Sequence, residues 1–335
     1  MDIDKARPSP SRSALIWKFA KILLALVLIG FILSRTNLQE LLSLREQLFF
    51  NWLWLYILLY LALTAFKAYQ YGKILDEPIP YWRVVSIVVL QNGLSNIVAN
   101  SAGIASYLVM FRGEEGVKVG RAAIVFIITK IGDLLAVWLA MLITGIMIWP
   151  QIEGLHEVVV ALLVLIGIPL FGFLLAVFLR QRFVDFVRHI AERVHLTHLG
   201  WVKSGFQIMD ELVVEDRSSI FHMTLRGLGL SAVYFLLTLA WSYSQLRFFS
   251  IVLPLAPFIF ITGILQLVSI IPITILGGLG VVETSSLYLY PMFGVDPVNF
   301  AAALIGMRVL FYLINLLVLL YLPLYGILEN RKRKD

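Results

Sequence analysis

Apolar residues run in blocks too long and unbroken for the one-sided stripe of a soluble helix, and polar residues gather between the blocks rather than at every third or fourth position. Read by length and apolar continuity, the blocks predict crossings over residues 15–33, 52–71, 121–149, 158–179, 228–246 and 300–325. Two further apolar segments, 82–111 and 257–292, are interrupted. The first carries Gln91, Asn92, Gly93, Ser95, Asn96, Asn100, Ser101, Gly103 and Ser106. The second carries Pro272, Gly277, Gly278, Gly280 and Glu283 within an otherwise hydrocarbon-like run. Proline removes a backbone donor and glycine relaxes the chain, so the backbone groups freed there need protein or water as partners at membrane depth. The expected fold is an all-α polytopic membrane protein of about eight hydrophobic segments, six full transmembrane helices and two broken or re-entrant elements, with an inverted repeat as an open option.

Charge placement orients these segments. Lys5, Arg7, Arg12, Lys18 and Lys21 precede or enter the first block, Arg331 to Lys334 close the chain, and the connector 180–226 holds seven lysines and arginines. The positive-inside rule puts all three on the cytoplasmic side, whereas 151–157 has no lysine or arginine and should face outward. The loop after the second block, read as containing Lys67, Lys73 and Arg83, is then inside. With those faces fixed, 82–111 must leave and return on the cytoplasmic side, and 257–292 must do so on the outer side. The domain plan is a cytoplasmic tail over 1–13, one membrane domain over 14–328 with a cytoplasmic amphipathic helix in the connector 180–226, and a basic cytoplasmic tail over 329–335. The expected location is the inner (cytoplasmic) membrane, multi-pass, with both termini cytoplasmic.

Composition narrows the function class. Hydrophobic residues make up 60% of the 335 and charged residues 14%, which leaves no polar block to fold as a separate catalytic domain. The net charge of +6 sits at the ends of apolar blocks, where it attracts anionic headgroups, and no polar face exists to carry it to nucleic acid. Cysteine is absent and none of the five histidines has a recognised metal spacing, so neither thiolate nor histidine metal chemistry is expected and no cofactor is called for. Trp17, Trp52, Trp54, Trp82, Trp149 and Trp201 fall near block ends as interfacial anchors do.

The stretch Asn92 to Arg112, the motif Lys130-Ile-Gly-Asp133, the run Leu267 to Glu283 with its Gly-Gly-Leu-Gly-Val-Val-Glu ending, Gly294-Val-Asp-Pro297, Ala301 to Ala303 and Arg308 together resemble the lysylphosphatidylglycerol synthase transmembrane family. The resemblance covers nearly the whole chain. It departs from the family where Ile104 follows Gly103, a point at which the family usually has glutamate, so no carboxylate role carries over there. The resemblance implies a membrane domain that moves or presents polar lipids, aminoacylated phosphatidylglycerol or polyprenyl-linked intermediates among them. In fused members the synthase is a separate soluble domain. With the sequence ending at Asp335, enzymatic synthesis is not expected of this chain.

The candidate substrate-binding residues are Arg112, Lys130, Asp133, Gly277, Gly278, Gly280, Glu283, Arg308, Asn96 and Asn100. Lys130 and Asp133 stand at i and i+3 on one helix face, close enough to pair, as a structural ion pair or a headgroup site. Glu283 should lie in the first turn of a half-helix, where the dipole favours its charge, and Arg308 should face Glu283, a lipid phosphate, or each in turn. Arg112 is either a second phosphate ligand or a positive-inside anchor. The run from Gly277 to Gly280 suits an anion-facing nest or close helix packing. Asn96 and Asn100 suit a headgroup path or helix capping. The expected role is a lipid transporter of flippase type moving a phosphate-bearing phospholipid or polyprenyl-linked lipid between leaflets, without a catalytic residue. The alternatives are a membrane-embedded lipid-modifying transferase and a lipid-binding accessory subunit. The sequence leaves the oligomeric state open.

Overall fold

A computed structural model of the chain describes residues 48–114, 117, 119–179, 181–193, 217–270 and 280–325. Its regular structure there is entirely helical: α1 (Phe50–Leu75), α2 (Tyr81–Ile97), α3 (Asn100–Arg112), α4 (Val119–Met147), α5 (His156–Leu179), α6 (Gln181–Arg193), α7 (Arg217–Phe248), α8 (Leu255–Ile270), α9 (Val281–Leu289) and α10 (Pro297–Leu319). Short 3-10 turns over Trp149–Leu155 and Pro291–Phe293 join α4 to α5 and follow α9. Five helices, those containing α1, α4, α5, α7 and α10, are long and apolar enough to cross a membrane. The chain is therefore an all-α polytopic membrane protein. The expected first crossing, 15–33, lies outside the described residues.

Two boundaries differ from the expectation in a way that matters. The second block was expected to end at residue 71, with Lys67 among the charges of a cytoplasmic loop, but α1 continues to Leu75 and buries Lys67. Charge marks a helix end only when water is the partner, and here the partners are protein groups. Likewise α7 starts at Arg217, well inside the segment read as connector. Within the connector, residues 181–193 form α6, which buries Val184 and Ala191 and exposes Phe186.

Both interrupted segments are pairs of helices. α2 and α3 pack antiparallel across a break at Val98 and Ala99, where Ala99 is extended (φ −169°, ψ 150°). The pair returns to the end from which it starts, because Arg83 at the beginning of α2 pairs at 2.7 Å with Glu114 just past α3. Gly103 permits this closeness: a Cβ there would stand 2.5 Å from the backbone oxygen of Gln91 and would also strike the Ser95 hydroxyl. At 13 residues, α3 is about 20 Å long, short of the ~30 Å hydrocarbon core.

α8 and α9 form the second pair, and the residues between them, 271–279, lie outside the described set. Their outer ends meet the opposite end of the bundle. Tyr243 near the end of α7 packs on Phe258 near the start of α8, and Tyr290 after α9 stacks on Phe300 at 4.3 Å. Each pair is embedded in its own apolar cluster. α4 shows the division, giving Ala122, Val125 and Ile128 to the cluster around α2 and α3, and Val137 and Met141 to the cluster around α8 and α9.

The close approach in the first pair is testable. Gly103→Ala should lower stability by about 1–3 kcal/mol through overpacking against backbone that cannot retreat. Thermal unfolding in detergent reads this, and Gly154→Ala, where an added Cβ meets nothing within 4 Å, serves as the reference.

Candidate functional site

The buried face of α1 reads Tyr56, Tyr60, Thr64, Lys67 and Tyr71, while Trp54, Leu58 and Leu61 are exposed on its other side. That is the inverse of a soluble helix: in lipid the polar heads must turn inward to find partners. Their partners come from α10, α4, α7 and the first pair.

At the second pair, Glu283 is the third residue of α9 and is 2% exposed. Its Oε2 accepts from the Gly280 N–H at 2.5 Å, satisfying one donor of the half-helix start. Gly280 holds φ +94°, a backbone state suited to glycine, which turns that N–H back onto the carboxylate. The other oxygen, Oε1, accepts from Arg308 Nε on α10. The guanidinium lies 5.7 Å from the centre of the Phe311 ring, one turn along. Glu283, Gly280 and Arg308 therefore form one unit.

Two turns beyond Arg308, on the same face of α10 and about 10 Å further along, lies Asn315. Its Oδ1 accepts from Tyr60 at 2.5 Å and from Asn96 at 2.8 Å, and its Nδ2 donates to the Phe311 carbonyl at 2.8 Å. Asn96 is in the last turn of α2, at the break of the first pair. One face of α10 thus holds both interrupted elements, through Glu283 at one level and Asn96 at the other.

Between these levels stands an aromatic wall. Tyr56 stacks on Trp241 of α7 with centroids 5.3 Å apart, Tyr60 lies 5.6 Å from the same indole, and Phe311 lies 6.3 Å from it. The Tyr56 hydroxyl and the Trp241 indole nitrogen are buried and have no hydrogen-bond partner among the described residues. A buried donor left unpaired costs about 1–3 kcal/mol, which makes two neighbouring ones unusual.

A second charged centre lies toward the other end. Lys67 Nζ donates to Asp133 Oδ2 at 2.5 Å and to Gln70 Oε1 at 3.0 Å, and sits 4.1 Å from the centre of the Tyr234 ring. Gln70 donates to the Ser231 hydroxyl at 2.8 Å, which donates in turn to Asp133 Oδ1 at 2.8 Å, closing a ring of four side chains from three helices. The expected pairing of Asp133 with Lys130 is not realised. Lys130 is exposed, with its ammonium 5.7 Å from the Phe126 ring, because the i, i+3 neighbour points along the helix while Lys67 approaches Asp133 directly from α1.

Of the other sequence candidates, Arg112 is exposed at the end of α3, about 18 Å from the break, and Asn100 is exposed at its start. The break is capped by backbone alone: the N–H groups of Val98 and Ala99 donate to the Leu94 carbonyl, and that of Gly103 to Ala99. Gly277 and Gly278 lie outside the described residues. Lys67, Tyr56, Tyr60, Trp241 and Asn315 are central here and were not singled out from sequence for this site; the signal available was a polar residue repeating on one face of an apolar block. Among the described residues no group of three or more His, Asp or Glu side chains could hold a metal ion.

The Lys67–Asp133 ring is predicted to be structural. Asp133→Ala should destabilise by about 3–5 kcal/mol by stranding a buried ammonium, and the double replacement Lys67→Met with Asp133→Leu should recover most of that loss. Unfolding of the two single variants and the double variant in one detergent decides it; equal and additive losses would contradict the pairing.

Comparison with known proteins gives one match: the family model described as the lysylphosphatidylglycerol synthase TM region fits residues 18–318. No curated protein and no solved structure matches the chain.

Proposed function

The chain belongs to the lysylphosphatidylglycerol synthase transmembrane family, whose role is tied to membrane lipids, and from that premise we propose that it carries a phosphate-bearing lipid between leaflets as a flippase-type transporter. The observation behind this reading is the ion pair of Arg308 with Glu283, held inside the helix bundle at the start of a half-helix. A buried arginine at membrane depth is costly unless it has a partner, and its planar fork suits a phosphate as well as a carboxylate. In this reading Glu283 occupies Arg308 while the site is empty, and a lipid phosphate exchanges with it. The acyl chains stay in the bilayer while the headgroup passes the aromatic wall between the two interrupted elements.

Both pairs are taken as re-entrant, entering from opposite faces. The bundle end bearing Lys73, Arg83, Arg112 and Arg121 is assigned to the cytoplasm by its positive charge, and the end bearing the turn Trp149–Leu155 to the outside. That orientation fits an inner membrane with both termini inside. The pseudo-symmetry of two broken elements around a midplane site is the arrangement alternating-access transporters use. The bound lipid is read as a phospholipid or polyprenyl-linked lipid, and no catalytic step is assigned to any residue.

Transport is the decisive measurement. In liposomes, the purified protein should speed the exchange of fluorescent phosphatidylglycerol between leaflets, read by quenching of the outer leaflet. Arg308→Ala should abolish the acceleration, and Glu283→Gln should cut it at least about tenfold, with both variants still eluting as folded protein. No acceleration by wild type over a panel of phosphate-bearing lipids removes the transport reading, and headgroup conversion in the same vesicles would favour a transferase.

Topology is checked separately. Lys73 and Asp296 are both exposed, so cysteines placed there should react with an impermeant maleimide only from the cytoplasmic side and only from the outer side, respectively.

A further inference from the structure

The buried polar stripe of α1 contains two tyrosines one turn apart with opposite fates. Tyr60 spends its hydroxyl on Asn315, whereas Tyr56, fully buried at 0% exposure, has no partner for its own among the described residues. The ring of Tyr56 lies at 24° to that of Trp241, whose indole N–H is also buried and unpartnered. Tyr56 stacks on Trp241, and Trp241 neighbours Phe311, over which the Arg308 guanidinium sits. An indole N–H can only donate. Two unclaimed donors in the aromatic wall that ends at a guanidinium call for one kind of ligand, a group presenting several anionic oxygens close together.

We propose that the Tyr56 hydroxyl and the Trp241 indole N–H complete an oxyanion site with Arg308, binding the non-bridging oxygens of a phosphate that ends or links a lipid headgroup. This rests on the reading that Arg308 takes a lipid phosphate in place of Glu283, and it adds the two groups that would hold that phosphate once Glu283 has let go. Packing explains the rings, since both fill the space between α1, α7 and α10. It does not explain polar atoms where Phe would fill the same space without an unpaired donor.

Removing the hydroxyl or the N–H takes away no hydrogen bond of the empty protein, which separates a ligand-binding role from a structural one. Tyr56→Phe should leave the thermal midpoint of the lipid-free protein in detergent unchanged or raised, whereas Trp241→Phe also shrinks a packed ring and is read by lipid binding alone. Each single change should weaken binding of dioctanoyl phosphatidylglycerol about tenfold, measured by titration with native mass spectrometry. Dioctanoylglycerol, which lacks the phosphate, should bind to none of the proteins.

Wild-type lipid affinity in both single variants and in the double variant, with Arg308→Ala still defective, overturns this assignment and leaves the reading of Arg308 standing. Lipid binding unaffected by Arg308→Ala overturns that reading instead. A lowered thermal midpoint in Tyr56→Phe makes its hydroxyl structural and overturns the proposal. Inorganic phosphate at the same concentrations forms the last arm: binding as tight as the lipid's, with the same sensitivity to both variants, shows a free-anion site and overturns the lipid assignment.

Discussion

Two backbone breaks inside a medium that offers no water are held by one face of one helix. Arg308 and Asn315 stand seven residues apart on α10, so their side chains project in nearly the same direction, and each grips the interrupted end of a different helix pair. The amides at the breaks are satisfied locally, by the Leu94 and Ala99 carbonyls in the first pair and by Glu283 in the second, and the grips fix where those satisfied ends sit. Everything else in the bundle adapts to this requirement: the polar stripe of α1 faces α10, and α4 and α7 divide their apolar surfaces between two clusters, one around each pair.

The charged ring around Lys67 belongs to a different class of interaction. It ties α1, α4 and α7 together through side chains that satisfy one another, with both Asp133 oxygens and the Gln70 amide engaged. A fully connected buried network of this kind specifies which helices meet and in what register, whatever its net energy. Beside it, Tyr71 reaches the first pair, its hydroxyl accepting from Gln91 at 3.3 Å. The frame that does not need to move and the face that holds the broken elements are thus built from separate sets of residues.

Much of this was legible in the sequence because membrane solvation makes polar residues conspicuous. Loop charge required 82–111 and 257–292 each to return to its starting face; the first is a helix pair whose two ends meet through Arg83 and Glu114, while the residues joining the second pair, 271–279, lie outside the described set. Glu283 beside three glycines and Arg308 inside an apolar block invited a pairing that the structure contains. The failures share a cause. Lys67 was read as loop charge because a run of apolar residues ends near it, and Asp133 was given to Lys130 because spacing along one helix is visible while approach between helices is not. Asn315, Tyr56 and Trp241 carry no net charge, so in a chain rich in aromatics nothing local distinguished them from packing residues.

The grips on the two pairs differ in kind. The Asn315 carbonyl oxygen has two lone pairs, one taken by Tyr60 and one by Asn96, so when Asn96 departs the acceptor stays satisfied and only a neutral amide must be rehoused. Parting Glu283 from Arg308 would separate two full charges in a low-dielectric interior, leaving the carboxylate with the Gly280 N–H and the guanidinium with the Phe311 ring. The first pair is consequently tied to α10 by a neutral hydrogen bond and the second by an ion pair, so the two ties differ sharply in what it would cost to part them.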